Sequence, residues 1–414
     1  MNHEVVINSN KNTDYLSVFL LGILIYISDD TILFGTNVNL NYLSFKYFGY
    51  FVVMLILLVR LKLDLVKGCE INFLCVIVAS IVFTSVFNLD FSAGYIYQIG
   101  VVFLAFLVVQ SLGFASFAGI FIKYVFVLSL LSLFVFLIAN YQAWILDYFP
   151  TGENTAGVEF SNLYIGSVYK GVGEVRNASI FREPGVFALY ILLAIIFQLF
   201  LSATINKKFI VCFLVALFST FSTTAFIVMS FVAIGYMLKD GASYFLSKAV
   251  LIALFFMLVA FVFGFQEDFY FKVFSKLSSD STSFGSLIAR TASIVVNFEI
   301  FRNNPLFGSG LRDYGTLFQE YSMVYFGEPL EASGQSSNSF MSVLANFGLL
   351  YGLIILWAII RLPGKLSDRF VVKIILFISL ALMFSSQDMR YSLLFYMLIF
   401  YGLKNYKNDF YRLA

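Results

Sequence analysis

Apolar stretches, many of them long enough to cross a bilayer, recur from residue 14 to residue 403, and this repetition constrains the chain more than any motif within it. A helix crossing the hydrocarbon core needs about 20 mostly apolar residues, with about 17–25 as the working range. Cut at its polar breaks, the sequence yields twelve apolar spans, some of them shorter than this range: 14–28, 43–59, 71–87, 95–113, 120–139, 185–203, 209–221, 225–238, 249–265, 339–360, 371–386 and 391–403. Lipid offers no partner for backbone N–H and C=O groups, so segments of this length and composition read as helices. Of the 414 residues, 60% are hydrophobic and 12% charged, where a soluble domain carries about 25% charged residues. The expected fold is an all-α polytopic membrane protein, a single integral membrane domain over residues 1–414. A soluble enzyme, a nucleic-acid-binding protein and a disordered scaffold are excluded.

Lys and Arg in flanks and short loops set the orientation of such a protein. With the N-terminus inside, sixteen of the 26 basic residues fall on the cytoplasmic side, including the clusters Arg60, Lys62, Lys67 and Arg361, Lys365, Arg369, Lys373. Both termini are then cytoplasmic. The first segment ends at Ser28-Asp29-Asp30 without a small-residue cleavage motif, which reads as a retained anchor. Two long segments, 140–184 and 266–338, are left on the outer side. Loops of this length in a compact protein are usually functional or disordered, and these are expected to contain short helices.

The residue inventory narrows the chemistry. The one histidine, His3, lies in the polar N-terminal tail, which removes a His base or a His-ligated metal from the fold. The cysteines Cys69, Cys75 and Cys212 have no metal-ligand spacing and lie outside both long loops. No metal site and no cofactor are expected. Asp29-Asp30 could suggest a metal-binding pair, but no third ligand is identifiable, and the two read as ordinary solvated residues.

Arginine makes up six of the ten outer basic residues and only four of the sixteen inner ones. Lysine serves topology equally well, whereas arginine suits the planar, two-bond grip on phosphate or carboxylate; translocation of long loops whatever their charge is the alternative. The stretch Arg176 to Gly185, reading RNASIFREPG, leads into the sixth segment with Pro184 at a first helical position. A helix N-terminus offers free N–H groups and a positive dipole end to an anion. Arg176 and Arg182 therefore fit a phosphate, while Glu183 is either a carboxylate stabilising the first turn or a general base. In the second loop, the spacing predicts an amphipathic helix over 285–301, ended by Asn303-Asn304-Pro305. Ser286, Arg290, Ser293 and Asn297 share one face of it, and Arg290 is either an interfacial, lipid-facing charge or an anion ligand. The turn Asn304 to Tyr314 carries Gly308 and Gly310, which allow close backbone approach to a ligand, and Arg312. Asn338 is either a helix cap or a substrate contact, and Arg302 and Arg390 are further outer arginines.

These motifs resemble the superfamily of O-antigen polymerases (Wzy) and O-antigen ligases. The resemblance rests on Arg…Ser-x-Phe-x-Glu-Pro-Gly entering a mid-chain span, on the Arg-containing helix followed by Asn-Pro-Leu-Phe-Gly-x-Gly, and on the Asn338 to Leu349 run opening a later span. Their order and loop placement extend along essentially the whole chain. It implies a metal-independent, C-type glycosyltransferase of the bacterial inner membrane with its site facing the periplasm. Its substrates would be undecaprenyl-diphosphate-linked oligosaccharides and its environment membrane lipid, with a chain-length regulator as a possible partner. The diphosphate would bind Arg176, Arg182, Arg290 and Arg312, with Arg302, Asn338 and Arg390 in reserve, and Glu183 and Arg290 would be catalytic. Many ligases and related members of the superfamily carry a His immediately before the Asn of the last motif; here Ser337 stands there, which points to the polymerase. A lipid-linked glycan flippase or transporter is the competing class, although neither internal repeats nor midplane charges are found.

Overall fold

The computed structural model describes residues 15–35, 42–61, 69–153, 158–171, 174–202, 204–239, 284–332 and 336–404. The apolar segment at 249–265, the first part of the second long loop at 266–283 and both extreme termini lie outside the described residues. What is described is mostly helical. In chain order the helices are α1 (Tyr15–Tyr26), α2 (Leu43–Leu61), α3 (Cys69–Phe87), α4 (Ala93–Ser111), α5 (Phe114–Tyr141), α6 (Pro184–Phe200) and α7 (Lys207–Ser219). They continue with α8 (Thr223–Lys239), α9 (Phe284–Asn303), α10 (Tyr314–Phe326), α11 (Ser339–Arg361), α12 (Phe370–Ser385) and α13 (Leu393–Leu403). Helices α2, α4, α5 and α11 with its 3-10 extension to Lys365 are long and apolar enough to cross a membrane, and six shorter apolar helices accompany them. The chain is a polytopic membrane protein.

Two helices form the centre. Every residue of α13 is buried, as is every residue of α6 except Gly185. A helix apolar all round belongs inside such a bundle. The outer helices turn large side chains outward, Phe45, Phe48 and Val59 of α2 and Phe134 of α5 among them. At one end of the bundle cations cap helix C-termini, where the dipole favours them. Lys239 reaches the Leu199 carbonyl at 2.9 Å, Arg369 that of Leu238 at 3.0 Å and Lys404 that of Val109 at 3.1 Å. All three belong to the set that the charge count assigns to the cytoplasm.

The first long loop departs from the all-α expectation. It folds into an antiparallel meander of β1 (Thr151–Glu153), β2 (Glu159–Asn162), β3 (Ser167–Gly171) and β4 (Glu174–Ser179), preceded by a 3-10 turn at Ala143–Tyr148. The register pairs Phe160 with Tyr169 and Tyr169 with Arg176. One face packs Val168 and Leu163 on Val135 and Ala139 of α5; the other packs Phe160, Tyr169 and Ala178 on Ile32. Strands of three to six residues leave little periodicity to read, and side-chain packing decides such segments.

In the second loop α9 runs slightly beyond the expected 285–301, and α10 follows it; the two share a small core of Val296, Ile300, Tyr314 and Phe318. Between them the Asn304–Gly310 turn inserts into a break in α11 at Gly348, whose φ is 80°. The amides of Ser309 and Gly310 donate to the Ala345 and Asn346 carbonyls at 2.8 and 3.1 Å, and the Leu349 amide donates to the Pro305 carbonyl at 2.8 Å. Irregular backbone is tolerated at such depth when protein supplies its hydrogen bonds.

Candidate functional site

Three helix N-termini meet at one turn, residues 386–392. The turn touches the start of α11 through Ser339, whose hydroxyl donates to the Gln387 carbonyl at 2.5 Å and accepts from the Met389 amide at 2.9 Å. It meets the start of α6 where Gly185 leaves room for the Gln387 side chain. It ends in Ser392, the N-cap of α13, whose hydroxyl also donates to Asp30 Oδ2 at 2.6 Å. Three helix N-termini, each of which favours an anion, are thus joined to one turn, which also follows the C-terminus of α12.

Arg182 stands at its centre. Its amide donates to the Asp30 carbonyl at 2.9 Å, its carbonyl accepts from the Tyr169 hydroxyl, and its guanidinium donates to the Asp388 carbonyl. The β-meander therefore works as a brace, since Tyr169 on β3 reaches the residue that opens α6. Arg182 is buried, and its Nε has no partner among the described residues, so one donor remains for a ligand. Burial works against the charge, but Glu183, Asp29, Asp30 and Asp388 outweigh it and raise the arginine's pKa. Asp30 moves upward through burial, opposed by Arg182 and by hydrogen bonds from Ser392 and Tyr190.

Arg290 on α9 faces the same place. Its pKa is lowered by burial and supported by the charge of Glu183, the residue next to Arg182 in sequence. Glu183 is the N-cap of α6, yet its side chain makes no capping bond; only its carbonyl accepts from Val186 and Phe187. The carboxylate acts electrostatically on both arginines. Below Arg290 the same face of α9 is pinned: Ser293 accepts from the Asn338 amide at 2.8 Å, and Asn297 accepts from the Tyr314 hydroxyl at 2.8 Å. The polar stripe is thus an inward face, while the Ser286 side chain lies outside the described residues. Asn338 caps α11, accepting from the Met341 amide at 3.0 Å.

Arg390 lies across the turn, ion-paired to Asp388 at 2.9 Å and stacked over the Tyr314 ring at 4.8 Å. Both guanidiniums therefore use Asp388, Arg182 through its carbonyl and Arg390 through its carboxylate. Arg390, Tyr314 and Arg312 line a cavity of about 790 Å³ that descends between α2 and α4. The Arg312 amide is fixed by Asp90 Oδ2 at 2.8 Å.

Other expected ligands are elsewhere. Arg176 donates from Nε to the Thr220 carbonyl at 3.1 Å, beyond the C-terminus of α7, where a cation satisfies otherwise unpaired carbonyls. Arg302 is exposed and pairs with Glu299 one turn back. Gly308 and Gly310 serve close approach to protein, since a Cβ on Gly308 would lie 2.3 Å from the Asn346 carbonyl carbon. Asp29 and Asp30 are not solvated: Asp29 pairs with the buried Lys46 at 3.0 Å, and Asp30 accepts from the Tyr190 hydroxyl at 2.7 Å. Local polarity suggested a surface pair because the partners, Lys46, Tyr190 and Ser392, are distant in sequence. Asp388 is one of the outer carboxylates, with Asp313, Glu328 and Glu331, that compete with Glu183 as base on sequence grounds, whereas its place beside Arg182 and Arg390, and the part of Tyr314, are not legible there. The only local signal was a charged Asp-x-Arg between two apolar segments. Among the described residues no group of three His, Cys, Asp or Glu side chains could hold a metal ion.

Buried arginines, Arg182 and Arg390, thus lie beside helix N-termini at one turn of a polytopic membrane bundle. Residues 209–356 match the family model described as O-antigen ligase, which supports the superfamily of O-antigen polymerases and ligases. The match contains Arg290, Arg312 and Asn338, while Arg182, Glu183 and Arg390 lie outside it and are joined to it by the fold. No curated protein matches the chain.

Proposed function

We propose that the protein is an O-antigen polymerase, transferring a growing glycan from its undecaprenyl diphosphate onto a hydroxyl of a new lipid-linked repeat unit at the periplasmic face of the inner membrane. The observation that carries this reading is the buried Arg182 guanidinium, tied to the Asp388 carbonyl with its Nε unused, beside the α6 N-terminus at Glu183, whose charge acts on both Arg182 and Arg290. In the transfer the bond from the sugar C1 to the phosphate oxygen breaks and its electron pair leaves with the diphosphate. The acceptor oxygen bonds to C1, and its proton passes to Glu183. Negative charge grows on the leaving group, and preplaced guanidiniums in a dry site stabilise that charge more in the transition state than in the ground state. Arg182, with an unused Nε, and Arg290, whose guanidinium makes no hydrogen bond to the described residues, take that role.

The ligase reading draws on the description of the matching family. Against it stands Ser337 in the place where many ligases carry histidine, the only histidine of the chain being His3. The test is elongation of lipid-linked repeat units by the purified protein in liposomes. Lipopolysaccharide gels of a deletion strain separate the readings: a core carrying one repeat unit supports the polymerase, and a bare core the ligase or a flippase.

A further inference from the structure

The cavity between α2 and α4 is not used by the arrangement around Glu183, and its chemistry changes along its length. Its lower walls are apolar, formed by Phe51, Met54, Val101 and Leu104. Phe51 and Ile96, both lining it, are themselves largely exposed on the outer surface of the bundle, so the groove opens sideways where lipid would stand. Its upper end carries Arg312 and Arg390. The Arg312 guanidinium makes no hydrogen bond to the described residues, in contrast to its anchored amide. Asn346 lines the same end, fully buried; its Nδ2 donates to the Ser342 carbonyl at 2.6 Å, which leaves Oδ1 as a buried acceptor without a donor. An unpaired buried acceptor is costly and marks a place where a ligand hydroxyl or amide N–H belongs.

We infer that this groove is a second site for a prenyl diphosphate glycan, separate from the Arg182–Arg290 site and divided from it by the Asp388 turn. The single prenyl chain lies along Phe51 to Leu104, the diphosphate meets Arg312, and a sugar hydroxyl or acetamido N–H donates to Asn346 Oδ1. A groove that takes a single chain and one anionic head does not suit a lipid with many acyl chains. The inference rests on the polymerase reading, since only there are both reactants prenyl lipids, and it assigns the groove as the means by which the second reactant is chosen.

Native mass spectrometry of the detergent-solubilised protein with undecaprenyl diphosphate, free of sugar, tests this without any turnover. Two lipids should bind per chain. A Cβ on Gly100 meets nothing within 4 Å, so Gly100→Trp fills the groove from a position that tolerates a side chain; it should reduce the occupancy to one. Arg312→Gln, on an exposed residue, should weaken the second lipid at least tenfold and leave the first unchanged. Retention of two lipids by both variants, or displacement of the second lipid by equimolar phosphatidylglycerol, would overturn the inference. An active polymerase with such a result loses only the groove, whereas two-lipid binding by a protein that never elongates removes only the polymerase reading.

Discussion

The Gly348 backbone lies so close to Leu306 that a Cβ built on the glycine would fall 2.2 Å from the Leu306 carbonyl oxygen. The break in α11 and the inserted turn therefore fit each other only without a side chain. With φ at 80°, a substitution also meets backbone strain of about 1–3 kcal/mol. Gly348→Ala should lower the detergent melting temperature and the yield of folded protein by more than any of the single arginine changes. An unchanged melting temperature would mean that the turn does not lock into α11.

Lys46 and Asp29 form a fully buried ion pair, and removing one partner of such a pair costs about 3–5 kcal/mol because the other charge is left unpaired. Lys46→Met should therefore destabilise the protein strongly, and adding Asp29→Leu should recover most of the loss. A double-mutant cycle on thermal unfolding reads the coupling directly; additive losses would deny it.

Arg176→Gln should reduce stability with little effect on turnover per folded molecule, since its guanidinium holds the Thr220 carbonyl. Arg182→Gln should lower turnover per folded molecule as well as stability, since its guanidinium also holds the Asp388 carbonyl. Activity normalised to folded protein in a size-exclusion peak distinguishes the two, and a large loss of turnover in Arg176→Gln would return that residue to the substrate.

The contrast between these arginines marks what could be read from the sequence. The apolar segments were legible because lipid imposes a length and a composition on each helix separately, and α1 to α8 and α11 to α13 follow the expected segments closely. The inward face of α9 was legible for a similar reason, since Ser293 and Asn297 needed only helical spacing. Arg176 and Arg182 looked alike, six residues apart in one motif, and only the meander, which points one to α7 and ties the other to Tyr169, separates them. The place of Asp388 beside Arg182 and Arg390 could not be recognised without knowing that its turn meets α6 and α11.

If the arginines neutralise the leaving diphosphate, elongation should persist after exhaustive treatment with EDTA. Loss of activity restored by magnesium or manganese would contradict that assignment.

Arg290 carries the most direct test, measured as the initial rate of lipid-linked glycan elongation by purified variants matched for folded protein. A charge-assisted hydrogen bond is worth about 1.5–3 kcal/mol, or roughly ten- to hundredfold in rate. Arg290→Ala should fall by at least that factor, and Arg290→Lys, which keeps the charge and loses the two-pronged geometry, should remain substantially impaired. Wild-type elongation by Arg290→Ala would contradict the placing of the diphosphate between α6 and α9.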